Sequence, residues 1–141
     1  MRAYDGWMPP ATKVLLIDDS EADRYTYRRF LEKSAHPYDV AEAHDAETGL
    51  ALAASLNPDC ILLDLKLKSG ESGYEVLQQL VGEEAPYRRP VIMLTVINQD
   101  YMKAGALSLG AIDFLVKGKT DAAALDAAIQ RAIGRKPEDR S

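Results

Sequence analysis

One pattern constrains this chain more than any other: a short apolar run that stops on a polar or charged residue. Cys60-Ile61-Leu62-Leu63 stops on Asp64, and Val14-Leu15-Leu16-Ile17 stops on Asp18-Asp19. Val91-Ile92-Met93-Leu94 stops on Thr95, and Ile112-Asp113-Phe114-Leu115-Val116 stops on Lys117. Unbroken apolar runs of this length read as strands buried on both faces, the kind a parallel sheet uses. The last position of each strand then lies at the carboxyl edge of the sheet, where open α/β sheets bind their ligands. If the four strands are parallel neighbours, three aspartates, one hydroxyl and one ammonium meet at one small site.

The segments between the runs read as helices. Ser20 is placed to cap a helix running to about Ser34, with Ala22, Tyr27, Phe30 and Leu31 on its inner face. Tyr38 to Ala43 is a further short strand. Asp45 caps a helix that ends before Asn57-Pro58. Gly73 opens another through Val76, Leu77 and Leu80. Asp100 to Leu109 forms a fourth, closed by Gly110. Thr120 or Asp121 caps the last, which ends near Gly134. Five strands alternating with five helices predict an α/β fold with a parallel sheet, helices on both faces and right-handed crossovers. Residues 1–12 read as a flexible lead-in, with Trp7 or Met8 against the domain. Residues 13–134 read as one domain and 135–141 as a charged tail, an arrangement that favours a short, self-contained protein.

Composition narrows the classes of function. At 141 residues the chain suits one domain that needs no disulfide or structural metal. A net charge of −5, with no run of Lys or Arg, argues against direct binding of nucleic acid. The single cysteine, Cys60, lies mid-strand, which fits a reducing, cytoplasmic setting. No apolar stretch approaches the length of a membrane span, and the first residues contain no signal-like apolar segment.

The residue types gathered at the sheet edge suit phosphoryl transfer. Asp18, Asp19 and Asp64 place three negative charges in one pocket. Lys117 and a divalent cation together would bring the sum to zero; without the cation it is −2, which repels an anionic donor. Hard oxygen ligands in an incomplete cage suit Mg²⁺, which keeps waters and takes phosphate oxygens. A carboxylate can be a covalent nucleophile, and Asp64 is read as the phosphoacceptor. Thr95 and Lys117 would then hold the equatorial oxygens. The new group adds about two negative charges, and drawing Thr95 and Lys117 inward is a switch. Taken singly, Asp18-Asp19 reads as a turn and cap, Thr95 as a turn residue and Lys117 as a surface lysine. Their joint placement reverses those readings.

The ordered set Val14-Leu15-Leu16-Ile17-Asp18-Asp19-Ser20, Ile61-Leu62-Leu63-Asp64-Leu65, Met93-Leu94-Thr95 and Gly110-Ala111-Ile112-Asp113-Phe114-Leu115-Val116-Lys117 resembles the receiver domain of bacterial two-component response regulators. The likeness is to a stand-alone, chemotaxis-type receiver and runs from Lys13 to Gly134. It implies a flavodoxin-like (βα)5 three-layer sandwich with strand order 2-1-3-4-5, an order for which a chemotaxis receiver is itself a standard example. It also implies Asp64 as phosphoacceptor, Asp19 as direct Mg²⁺ ligand, Asp18 as the acidic partner acting through water, and the Lys66 backbone carbonyl as a further metal ligand. Thr95 and Lys117 match the phosphate-sensing pair, and Phe114 the aromatic that turns inward as Thr95 moves. The implied donor is a sensor histidine kinase or histidine phosphotransferase, docking on the first helix at Ala22, Asp23 and Thr26. The implied homodimer or effector surface is helix four, strand five and helix five, with Tyr101, Met102, Lys103, Leu107 and Phe114. On this reading the chain is a phosphoaccepting signalling domain rather than an enzyme.

The chain departs from the family pattern in three places. The loop Lys66 to Gly73 has no proline and is one residue longer than the commonest form. Gly118 follows Lys117 where a cis-proline is usual, so a trans bond is expected. Val96 follows Thr95 where a smaller residue is common; with Lys66 and Ile97 flanking the site, autodephosphorylation is expected to be slow. Two rival functions remain open at this point. A metal-dependent phosphohydrolase using an aspartyl-phosphate would carry an acid/base aspartate where Lys66 stands. A pseudo-receiver acting without phosphorylation would not need the full Asp, Thr and Lys set.

Overall fold

A computed structural model describes residues 10–67, 72–81 and 89–134. The expected lead-in at Trp7 and Met8, residues 68–71 of the loop after Asp64, most of the loop before Pro90, and the tail lie outside them. Five strands, β1 (Thr12–Ile17), β2 (Tyr38–Ala43), β3 (Cys60–Leu63), β4 (Val91–Thr95) and β5 (Asp113–Val116), form one sheet in the order β2-β1-β3-β4-β5. Every pairing is parallel. Five helices alternate with them: α1 (Glu21–Glu32), α2 (Ala46–Leu56), α3 (Gly73–Val81), α4 (Asp100–Ser108) and α5 (Ala122–Gly134).

The period-two geometry of the strands splits the apolar runs between two cores. Leu15, Ile17, Ile61, Leu63, Val91 and Met93 face α2, α3 and α4, where Ala53, Val76, Leu77, Leu80 and Ala106 meet them. Val14, Leu16, Cys60, Leu62, Ile92 and Leu94 face α1 and α5, meeting Tyr27, Leu31, Leu125, Ala128, Ile129 and Ala132. The α5 residues recur at three- and four-residue spacing, one stripe of a helix. The three central strands are buried from end to end of their apolar runs, which is why those runs do not alternate. The edge strand β2 instead carries Asp39 and Glu42, charges that discourage pairing with another sheet.

Local signals set the helix ends. Ser20 Oγ accepts the Asp23 N–H at 3.2 Å, and Asp45 Oδ1 accepts the Thr48 N–H at 2.8 Å. Asp121, rather than Thr120, caps α5 by accepting the Ala124 N–H at 2.8 Å. Thr120 turns back to donate its hydroxyl to the Val116 carbonyl at 2.9 Å. Ala22 does not join the inner face of α1: it is exposed, because five residues separate it from Tyr27 and place it on the far side of the helix. Gly118 has φ +83°, a conformation open to glycine, and the Lys117–Gly118 bond is trans as expected. Among the described residues no helix is long and apolar enough to cross a membrane.

Candidate functional site

The strand order brings β1, β3 and β5 to the same edge, with β4 between β3 and β5. Asp18 follows β1, Asp64 follows β3 and Lys117 follows β5, and their side chains meet; Thr95 ends β4 at the same edge, its backbone carbonyl accepting the Lys117 N–H at 2.8 Å. The centre is the Lys117 ammonium. It stands 2.6 Å from Asp18 Oδ2 and 3.0 Å from Asp64 Oδ2. It also donates to Asp23 Oδ2 at 2.8 Å.

That third contact was not foreseen. The sequence places Asp23 on the docking surface, and in the structure its carboxylate also turns into the site. The signal was present: Asp23 follows Asp19 by one helical turn, and side chains in a first turn lean back toward the helix N-terminus. Its presence corrects the charge count. Asp18, Asp23 and Asp64 surround the Lys117 ammonium and Asp19 stands beside Asp18 and Asp64, so these five groups sum to −3 rather than −2.

Each group is held by its own backbone. Asp18 Oδ1 accepts the Ser20 N–H at 2.9 Å, and Arg24 donates to the Asp18 carbonyl at 2.7 Å while pairing with Glu42 at 3.0 Å. Asp64 Oδ1 accepts the Lys66 N–H at 3.2 Å. Gly73 lies directly against this turn: a Cβ there would stand 2.6 Å from the Asp64 carbonyl oxygen, so a side chain would displace the loop. Thr95 is fully buried, and its hydroxyl accepts the Ile97 N–H at 3.4 Å.

Burial and charge oppose each other here. Burial raises the Asp18 carboxyl above its usual range, and the Lys117 and Ser20 contacts recover only part of that. Burial pulls the Lys117 ammonium the other way, but Asp18, Asp23 and Asp64 outweigh it and hold it above the ordinary lysine range. Cys60 is remote in character: burial pushes its thiol up to about 12, leaving it an inert core residue.

The residues present fit a hard divalent cation. One oxygen from each of Asp18, Asp19 and Asp64 lies within 4.8 Å of the others. Asp18 Oδ2 is buried, and the partner it has, the Lys117 ammonium at 2.6 Å, is shared with Asp23 and Asp64, which leaves lone-pair capacity for an ion.

A cleft of about 260 Å³ opens over Asp64, lined by Asp19, Ser20, Asp23, Lys66, Leu67, Val96 and Lys117. Val96 is 66% exposed at its mouth. Ile97, expected beside it, packs against the core instead. On α1, Ala22, Tyr25 and Thr26 are exposed next to the cleft, and the Thr26 hydroxyl donates to the Ala22 carbonyl at 3.0 Å. Phe114 is buried in the core that α2, α3 and α4 pack against. Of the surface expected around it, Tyr101, Lys103 and Leu107 are exposed. Met102 is partly buried, its carbonyl accepting the Tyr74 hydroxyl at 2.8 Å.

Comparison with known proteins gives the same picture. The family model described as the response regulator receiver domain matches residues 14–130. PilH of Pseudomonas aeruginosa is 32% identical over 105 residues, covering 74% of this chain and 84% of that protein. The transcriptional regulator RpaA of Synechocystis is 39% identical over 105 residues, but this chain spans only 42% of its length. Among solved structures, the receiver domain of the response regulator NarL from Mycobacterium tuberculosis has a TM-score of 0.78 at 29% identity, covering 90% of this chain and 100% of that one. Chemotaxis protein CheY4 of Vibrio cholerae has a TM-score of 0.75 at 27% identity, covering 87% and 99%.

Proposed function

The chain belongs to the response regulator receiver domain family, with a flavodoxin-like fold and a place in two-component signal transduction, and from that premise we propose that Asp64 is its phosphoacceptor. The observation that carries this is the Lys117 ammonium 3.0 Å from an Asp64 carboxylate at the carboxyl end of a fully buried strand, with two more carboxylates beside it. An Asp64 oxygen attacks phosphorus as the donor's P–N bond breaks. The electron pair leaves with the imidazole of a phosphohistidine, which takes a proton. Charge neutralisation and alignment do most of the work in such a transfer.

Asp18, Asp19, Asp64 and the Lys66 carbonyl would hold Mg²⁺, which when bound supplies positive charge to the transferring oxygens. Lys117 donates to one of those oxygens, and Thr95 moves toward another. That movement biases Phe114 and the α4–β5–α5 surface, through which a second copy or an effector would bind. Ala22 and Thr26 form part of the docking surface for a histidine kinase or phosphotransferase. The domain acts as a signalling switch in the cytoplasm rather than as a turnover enzyme. Lys66 stands where a phosphohydrolase would need its acid/base carboxylate, which disfavours that alternative. Lys66 and Val96 at the cleft mouth restrict water and make hydrolysis of the phosphoryl group slow.

Intact mass after incubation with acetyl phosphate tests this reading. One phosphoryl group should add to the wild type only with Mg²⁺, and Asp64→Asn should take none. The adduct should persist for minutes or longer; decay within seconds would remove the role given to Val96 and Lys66. No adduct, together with no binding of beryllofluoride, would leave a receiver that works without phosphorylation.

A further inference from the structure

We propose that Asp23 is a positioning residue that holds Lys117 while Asp64 is unmodified and yields it when a phosphoryl group arrives. The inference rests on the phosphoacceptor reading and concerns what sets the balance between the two states.

An ammonium has three N–H groups. In this structure three carboxylates surround it: Asp18 at 2.6 Å, Asp23 at 2.8 Å and Asp64 at 3.0 Å. A phosphoryl group on Asp64 brings three strong acceptor oxygens and about two negative charges to the same ammonium. It gains fully from Lys117 only if a carboxylate lets go. Asp18 is 1% exposed, is anchored by the Ser20 N–H, and belongs to the cluster that fits a metal. Asp64 carries the incoming group itself. Asp23 differs from both. Its side chain is 38% exposed, it sits in the first turn of α1, and it is no part of the cluster whose oxygens suit a cation. Its carboxylate can turn to water at little desolvation cost.

Asp23 also lines the cleft through which donor and phosphoryl group enter. Its negative charge therefore opposes the phosphoryl group twice: it occupies an ammonium hydrogen, and it repels the new oxygens across about two hydrogen-bond lengths. Both effects favour the unmodified state. Because Asp23 stands on the helix that carries the exposed Ala22 and Thr26, a partner docked there sits beside the carboxylate that must move.

The test measures beryllofluoride, a stable stand-in for the phosphoryl group, by the fluorine resonances of the bound form. Wild type, Asp23→Asn, Asp23→Glu and Asp64→Asn are titrated, each with Mg²⁺ raised until the curve no longer moves. Asp23→Asn should bind roughly five- to tenfold more tightly than wild type, the size expected for removing one partly solvated charge at this range. Asp23→Glu, which keeps the charge, should fall back toward wild type. A purely structural role, as an acidic residue in the first turn of α1, would lower the melting temperature without improving binding. Equal or weaker binding by Asp23→Asn, with wild type binding normally, overturns the inference alone. If wild type itself binds no beryllofluoride, the phosphoacceptor reading falls and this inference falls with it.

Discussion

Two polar clusters in this molecule look alike in composition and differ in what they leave unfinished. At the carboxyl edge of the sheet, Lys117 sits among Asp18, Asp23 and Asp64. At the entry to β2, His36 and Tyr38 meet Asp126 of α5. Both Asp126 oxygens lie 3.0 Å from His36 Nδ1, and the Tyr38 hydroxyl donates to Oδ1. Gln130 in turn donates to the Tyr38 oxygen at 3.0 Å. The second cluster is closed: one carboxylate takes its donors and the tyrosine oxygen has its own. The first has a surplus of carboxylates over the ammonium at its centre, which Asp18, Asp23 and Asp64 share. A closed cluster ties elements together. A cluster left with excess charge calls for a cation and can change partners, which is what a switch requires.

The largest effect should come from removing the cation at the centre of the open cluster. Lys117→Ala leaves Asp18 and Asp64, both nearly buried, facing each other without a counter-charge. Breaking a buried ion pair in this way costs about 3 kcal/mol. Urea denaturation without metal should show that loss, and Mg²⁺ should restore more stability to Lys117→Ala than it adds to wild type. Unchanged stability without metal would mean the ammonium is not what holds the carboxylates together, and the contrast drawn above would fail.

The same contrast explains what could be read from sequence. The open cluster is legible because Asp18, Asp64 and Thr95 end buried apolar runs and Lys117 ends the half-buried edge strand β5, and the strand order then follows from the family. Asp23 reads from sequence as a docking residue, and its contact with Lys117 is not legible there, because it depends on the lean of one side chain in the first turn of α1. The closed cluster was not legible at all. His36 reads as a surface histidine beside a proline. Its partner lies 90 residues away on a helix whose visible pattern is apolar, and nothing in either segment marks the pairing. The packing of Ile97 against the core is likewise not legible: adjacency to Thr95 says nothing about whether a loop side chain faces the cleft or the core.

In the closed cluster, Tyr38→Phe removes the hydroxyl that bridges Asp126 and Gln130. Asp126 keeps His36, and water reaches it, so the loss should be about 1 kcal/mol. Burial works against ionised Asp126, but Tyr38, His36 and Ser34 outweigh it and hold its carboxyl below the usual range. A carboxyl depressed by folding adds stability above its unfolded pKa and gives it up as pH falls through the folded one. The Tyr38→Phe deficit should therefore be present at neutral pH and shrink in acid below about pH 4. Beryllofluoride binding at the other edge should not change. A shift there would show that the two clusters are coupled through α5 rather than separate.

The smallest effect concerns Asp18, and its sign is opposite. Burial raises this carboxyl in the folded state, so between its unfolded and folded pKa values the native protein binds more protons than the unfolded chain. Stability then falls as pH rises through that window, which begins near pH 4. An ionised Asp18 is tolerated by the metal-free fold rather than favoured by it. Asp18→Asn, which fixes a neutral side chain of the same shape, should be slightly more stable than wild type at neutral pH without metal, and equal to it in mild acid. Adding Mg²⁺ should reverse the order, because the ion gains from the carboxylate and not from the amide. Melting curves from pH 4 to 7, with Mg²⁺ and without, would decide it. Wild type more stable than Asp18→Asn in the absence of metal would mean the Lys117 contact outweighs burial at Asp18, and the open cluster would be better neutralised than its geometry indicates.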